Sequence, residues 1–344
     1  MFSKFRLAAL AIGLVLSATP AFADDMTKIK FSLDWKLQGI HSWFYWAKEK
    51  GYFAAEKLDV AIDQGAGSAA TITRVMSGAY DAGFGDANAV IQNAATKPDE
   101  APMIVYMMYS RAPFALVTKA SSGINSFKDL VGRKVAGPSG GSTLKLLPLM
   151  AKKNNIDYAK MDVLQVAPSI QEQVLVQGQV DASVVFTVTS YMNLLAMKQD
   201  PEKDFKWIYF ADSGVDLYSN CIVVSQQLVK NKPEVVKGLV RAINRAVKEV
   251  VANPDAAVEL LAKIEPLINK PIEKQRLIFA YKTLINTPEA RSLGLGDVND
   301  ERLAASAATL KDAYELPSAP KPADVFSRAF LPPKAERMPV ALSN

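Results

Sequence analysis

The sequence predicts an α/β fold with mostly parallel sheets, arranged as two similar lobes facing each other across a cleft. From residue 29 to about residue 210, short strand-like runs alternate with helical ones, as strands joined by crossover helices do. Gly78-Ala79-Tyr80-Asp81-Ala82 returns one hundred residues later as Gly178-Gln179-Val180-Asp181-Ala182, and each copy ends a helix and opens a strand. Three identities in five positions carry little alone, and a generic helix-to-strand turn is the competing explanation. Within the α/β pattern the echo points to a repeated lobe.

The elements follow in order. Lys4 and Arg6 precede an apolar run over residues 7–18 and the small-x-small site Ala21-Phe22-Ala23, which together read as a secretory signal peptide over residues 1–23. The run is too short to span a membrane. No cysteine stands directly after the site to take a lipid, so the expected product is a free protein in a periplasm-like space. It would begin near Asp24 and hold about 320 residues, enough for two cores. Residues 29–35 alternate as a strand. Residues 42–50 read as a helix capped by Ser42 and closed by Gly51. Residues 58–63 form a second strand and residues 68–77 a helix stopped by Gly78. After each copy of the echo a strand opens, at Gly83-Phe84 and at Ser183-Val184-Val185-Phe186. From Asn231 onward the pattern turns helical, with amphipathic segments over residues 233–251 and 254–264. The proline-rich last thirty residues are expected to wrap the surface.

Composition excludes several functions. Removing Lys4 and Arg6 lowers the net charge from +5 to +3, which is no nucleic-acid footprint. One histidine and one cysteine leave almost nothing for a transition-metal site, and Cys221 has no disulfide partner. Gly137-Pro138-Ser139-Gly140-Gly141 matches the nucleophile elbow of a serine hydrolase, but that chemistry needs a histidine after the serine and none exists beyond His41. No cofactor is expected.

Candidate binding residues collect at strand ends. Ligands of open α/β domains bind beyond the carboxyl edge of the sheet. After the first echo this edge carries Asp86 and Asn88, and after the second Phe186, Thr187 and Thr189. Trp35, at the end of a strand, offers a stacking face for a planar ligand, with a core tryptophan as the alternative. Trp43 and Trp46, one helical turn apart, fit packing of helix on sheet. His41 stands at a helix entrance, as a cleft wall or as a cap. Ser139, Gly140, Gly141, Ser142 and Thr143 lead into a helix, and such a loop offers backbone and hydroxyl donors to an anion or a carbonyl, or is a simple capped turn.

These residues resemble the periplasmic solute-binding proteins of the taurine, nitrate, sulfonate and thiamine-pyrimidine-precursor group. The resemblance rests on Asp34-Trp35 with His41 six residues past the tryptophan, Ala47-Lys48 to Gly51-Tyr52-Phe53, and Leu58-Asp59-Val60. It continues through Gly78 to Asp86, Phe127-Lys128-Asp129-Leu130-Val131-Gly132-Arg133-Lys134-Val135, the second echo and Pro233-Glu234-Val235-Val236. It implies a two-lobed periplasmic-binding-protein fold of type II with a hinge of two crossovers, near residues 112–114 and 212–218. Residues 24–112 and 218–344 would form one lobe and residues 113–217 the other. The implied partners are a small-molecule ligand and the permease of an ABC importer in the inner membrane, with the protein itself monomeric. Asn220, near the second crossover, would also reach the cleft.

The Asp-Trp…His spacing looks most like the branch that binds aminopyrimidine precursors of thiamine. That branch includes a pyrimidine synthase, which needs a lysine and a histidine four apart and a cysteine cluster. Here Gly85, Ala89 and the lone Cys221 stand in those places. The branch often carries an acid after the second echo strand, whereas residues 186–192 hold none. Thr187, Thr189 and Tyr191 in its place favour a neutral or anionic ligand, because a buried unpaired charge is costly. A pyrimidine-type heterocycle, an aromatic carboxylate and a sulfonate all remain open.

Overall fold

The computed structural model describes residues 26–342. The signal-peptide segment, residues 1–23, lies outside the described residues. In chain order the strands are β1 (Thr27–Ser32), β2 (Leu58–Asp63), β3 (Ala82–Asp86), β4 (Met103–Met107), β5 (Phe114–Lys119), β6 (Lys134–Pro138), β7 (Asp162–Val166), β8 (Ala182–Phe186), β9 (Phe205–Tyr209) and β10 (Asn220–Val224). They form two five-stranded sheets, ordered β2-β1-β3-β10-β4 and β7-β6-β8-β5-β9. β1 pairs in parallel with β2 and β3, and β6 with β7 and β8. The antiparallel member of each sheet is the strand that follows a crossover, β10 in the first and β5 in the second.

The echo has a physical basis. Asp81 accepts a hydrogen bond at Oδ2 from the backbone N–H of Lys30 at 2.8 Å, and Asp181 does the same for Lys134 at 2.8 Å. The backbone N–H of each aspartate returns a bond to the carbonyl of the same lysine. In both lobes the aspartate therefore pins the turn before the third strand of the sheet order to the second strand of that order, β1 in one and β6 in the other. Its place in the motif is structural.

Several elements differ from expectation in instructive ways. The first strand, expected over residues 29–35, ends at Ser32. The loop after β2 pulls the chain out of the sheet: the N–H groups of Gly67 and Gly65 bond to the carbonyls of Asp34 and Trp35 at 2.8 and 3.0 Å. Ser42 does not cap its helix. A 3-10 turn over Gly39–His41 runs straight into the helix Ser42–Glu49, so Ser42 is already helical and its hydroxyl has no partner. Gly51 does close that helix, in the left-handed region at φ 70°. The amphipathic segments form the helices Pro233–Ala252 and Pro254–Ile264. Trp43 is fully buried in the core of the first lobe, and Trp46 donates to Glu249 on the long helix at 3.1 Å.

The crossovers run side by side. Tyr109 and the Ser219-Asn220 pair exchange two backbone hydrogen bonds, at 2.8 and 3.2 Å. Arg302 ties both strands together, donating to the Ser110 carbonyl at 2.6 Å and to Asp216 at 2.9 Å. No described helix is long and apolar enough to cross a membrane.

Candidate functional site

The released turn after β1 brings Asp34 and Trp35 to the carboxyl edge of the first sheet. Asp34 is 4 % exposed, and its carboxylate is held from two sides. His41 donates from Nε2 to Oδ1 at 2.8 Å, and Asn220, at the start of β10, donates from Nδ2 to Oδ2 at 2.8 Å. The other ring nitrogen of His41 accepts the backbone N–H of Gln38 at 3.0 Å. A nitrogen that accepts carries no proton, so the imidazole is the neutral Nε2–H tautomer. Asp34 is thus oriented by neutral donors, and among the described residues no lysine or arginine pairs with it.

A cavity opens against this carboxylate. Its wall is Asp34, Trp35 and Ser68 from the first lobe and Pro138, Gly141, Thr143, Gln171, Phe186 and Thr189 from the second. It encloses about 340 Å³ of empty space, part of it open to solvent. The lobes are drawn closely together around it. Contacts between them agree: Ser68 and Ser142 hydroxyls bond at 2.7 Å, and the Ala70 N–H reaches the Gly140 carbonyl at 3.2 Å. At Gly67 a side chain would meet that same carbonyl oxygen at 2.3 Å, so closure needs glycine there. Two polar atoms near the cavity are buried without partners, Gln171 Oε1 and Trp35 Nε1. At a cavity wall such a group can be satisfied by a partner that enters the cavity.

The expected site residues divide into three sets. Trp35, Gly141, Thr143 and Phe186 line the cavity. His41, Asn220 and Ser142 sit one layer back: the first two hold Asp34 and the third holds Ser68, so none of them is on the wall. The others are elsewhere. Ser139 is exposed and bonds to Gln165. Gly140 abuts the Gly67 loop, where it serves contact between the lobes and no anion cradle. Thr187 is buried and its N–H bonds to the Pro113 carbonyl at the first crossover. Asn88 turns inward, donating to Asp86 at 3.0 Å and to the Tyr218 carbonyl at 2.8 Å. Asp86 caps the helix Ala87–Thr96 through the Ala89 N–H, and burial pushes its carboxyl above the ordinary range.

Sequence reasoning passed over Asp34 as a wall residue, together with Ser68, Pro138 and Gln171. The acid missing after β8 has a counterpart on the wall, Asp34 from the other lobe, and a buried carboxylate suits a ligand that donates hydrogen bonds, a neutral one included. Cys221 is buried against the Gly85 carbonyl, and burial, followed by the nearby Asp86, pushes its thiol well up. Among the described residues no group of three or more His, Cys, Asp or Glu side chains could hold a metal ion.

Comparison with known proteins gives the family. The NMT1/THI5-like family model matches residues 38–257. A 4-amino-5-hydroxymethyl-2-methylpyrimidine phosphate synthase from Legionella pneumophila is 24% identical over 77% of this chain and 84% of its own length. A formylaminopyrimidine-binding protein from Halalkalibacterium halodurans is 26% identical over 78% of this chain and 82% of its own. Among solved structures, the alkanesulfonate-binding protein SsuA from Xanthomonas axonopodis pv. citri, bound to MOPS, superposes with a TM-score of 0.65 at 14% identity, covering 87% of this chain and 98% of that one. That likeness carries the two-lobed periplasmic-binding-protein fold.

Proposed function

This chain belongs to the NMT1/THI5-like family, and on that premise we propose that it is a periplasmic receptor which captures a small, planar, nitrogen-bearing heterocycle and delivers it to the permease of an ABC importer. The lobes of this reading are residues 24–112 with 218–344 and residues 113–217, hinged near 112–114 and 212–218, and the working form is a monomer. The observation that carries it is the Asp34 carboxylate, fixed at the cavity wall by His41 and Asn220 and flanked by Trp35. A carboxylate beside an aromatic face suits an amino-heterocycle, whose N–H groups donate and whose ring stacks. A sulfonate or an aromatic carboxylate would bring a second negative charge to the same place.

The residues speak against synthesis as the activity. Where the resemblance attaches a catalytic lysine, Gly85 lies so close to the preceding helix that a Cβ would meet Ile72 Cδ1 at 2.8 Å and the Ser68 carbonyl oxygen at 3.0 Å. Ala89 replaces the histidine, and the one cysteine is buried.

The test is a thermal-unfolding screen against aminopyrimidines, aromatic acids and alkanesulfonates, followed by calorimetry. A true ligand at a hundred times its dissociation constant stabilises by about 2.7 kcal/mol. Asp34→Asn, which keeps the shape and removes the charge, should weaken an aminopyrimidine by at least about tenfold, on the scale of one charge-assisted hydrogen bond. Stabilisation by sulfonates alone, strengthened in Asp34→Asn, would replace this reading with an anion receptor.

A further inference from the structure

Gln171 begins a short helix in the second lobe, is 2 % exposed and faces the cavity. Its amide can point only one way. Ser190 donates its hydroxyl proton to Glu172 Oε1 at 2.6 Å, leaving its own oxygen to accept from Gln171 Nε2 at 2.9 Å. The second Nε2 proton goes to Glu172 Oε1 at 3.1 Å. Both N–H groups are spent on acceptors that the carboxylate fixes, so the amide oxygen is left over, buried and without a partner. Glu172 cannot rotate to suit a different amide orientation, because Asn193 donates to its other oxygen at 3.1 Å. Asn193 is itself oriented by Arg276, which donates to its Oδ1 at 2.9 Å.

We infer that Gln171 reads a hydrogen-bond donor on the ligand from the second lobe, and that Glu172 is the positioning residue that fixes the polarity of this reading. The inference rests on the cavity being the ligand site. It deepens that reading: Asp34 accepts from the ligand on one lobe and Gln171 accepts on the other, so the ligand must carry two donor groups, one for each lobe. A ligand touching both lobes is also what favours closure, since only contacts made in the closed state shift the equilibrium toward it. A molecule with a single donor group would satisfy one lobe and leave the other acceptor buried and unpaired.

The experiment pairs protein variants with ligand variants. The probes are 4-amino-5-hydroxymethyl-2-methylpyrimidine, whose amino and hydroxymethyl groups are its two donors, and two analogues with methyl in place of one donor or the other. Calorimetry on the full-length mature protein should show each deletion weakening wild-type binding by about tenfold. Gln171→Met, close in volume, should abolish the penalty for one deletion and keep the other, whereas Asp34→Asn should do the reverse. Glu172→Gln leaves the Gln171 side chain in place but frees its amide to turn, and should reduce the same penalty that Gln171→Met abolishes. A merely structural role for Glu172 would weaken all three probes by one common factor. Unchanged ratios in Gln171→Met or in Glu172→Gln overturn the inference while the receptor reading stands. Failure of the wild type to bind any of the three overturns both.

Discussion

Asp86 ends β3 fully enclosed, and burial raises its carboxyl above the ordinary 3.8, even though Asn88 and Ala89 donate to it. A raised value in the folded state means that folding favours the protonated form. The associated stability is present at acidic pH and is lost as pH rises through the folded value. Asp86→Asn keeps a capping oxygen for the helix Ala87–Thr96 and removes the ionisation. Denaturant unfolding from the acidic side of 3.8 toward neutrality should show this falling component in the wild type and not in the variant. Trp35 gives a second prediction. It is 8 % exposed and lies on the cavity wall, so Trp35→Ala should lower ligand affinity far more than it lowers the unfolding midpoint, as paired calorimetry and thermal melts would show. A larger loss of stability than of affinity would make it a core side chain. Trp35 was legible in the sequence because a tryptophan just past a strand, at the carboxyl edge of a sheet, offers a planar ligand a stacking face. Asp34 was not, because its meaning depends on Asn220, 186 residues away, and on a tautomer that only the fold determines.

Among the elements, the helix Lys270–Ala280 was the hardest to see, and it does the most to join the lobes. Its buried side includes Glu273 and Arg276 beside Leu277 and Ala280, so apolar periodicity could not reveal it. The helices Pro233–Ala252 and Pro254–Ile264 were plain because valines, leucines and alanines mark their buried faces. Arg276 pairs with Glu273 at 2.7 and 3.0 Å and extends the fork to the carbonyls of Val188 and Thr189, each at 2.8 Å, on the helix Thr187–Ala196 of the second lobe. Glu273 in turn accepts the Gly39 N–H at 2.6 Å, and Tyr191 stacks on Phe279 with ring centroids 5.9 Å apart. A lysine cannot span this set of acceptors. Arg276→Lys should weaken the closed state by about 2 kcal/mol, the scale of a hydrogen bond to a charged group. Small-angle scattering of the unliganded protein should then give a larger radius of gyration than the wild type.

For the whole molecule, closure can be tested without knowing the ligand. Ser68 and Ser142 face each other across the cleft with hydroxyl oxygens 2.7 Å apart, which makes the pair the place to test a bridge between the lobes. The double variant Ser68→Cys, Ser142→Cys should oxidise to a closed form that neither admits nor releases solute, and a reductant should restore exchange. Thiol titration checks the bridge, since Cys221 alone stays reduced and is buried. The alternation of strands and helices made the two-lobed plan legible, and the repeated Gly-x-x-Asp gave its symmetry. The sequence could not show that β10 inserts between β3 and β4, because that pairing joins segments more than a hundred residues apart. This insertion has a consequence for biogenesis. All five strands of the second sheet lie in one continuous stretch, from Phe114 to Tyr209, while β4 in the first sheet has no neighbouring strand except β10. As the chain emerges, the later lobe can complete its sheet while the earlier one still exposes two unpaired strand edges. Those edges stay open to mispairing until residue 224 has appeared.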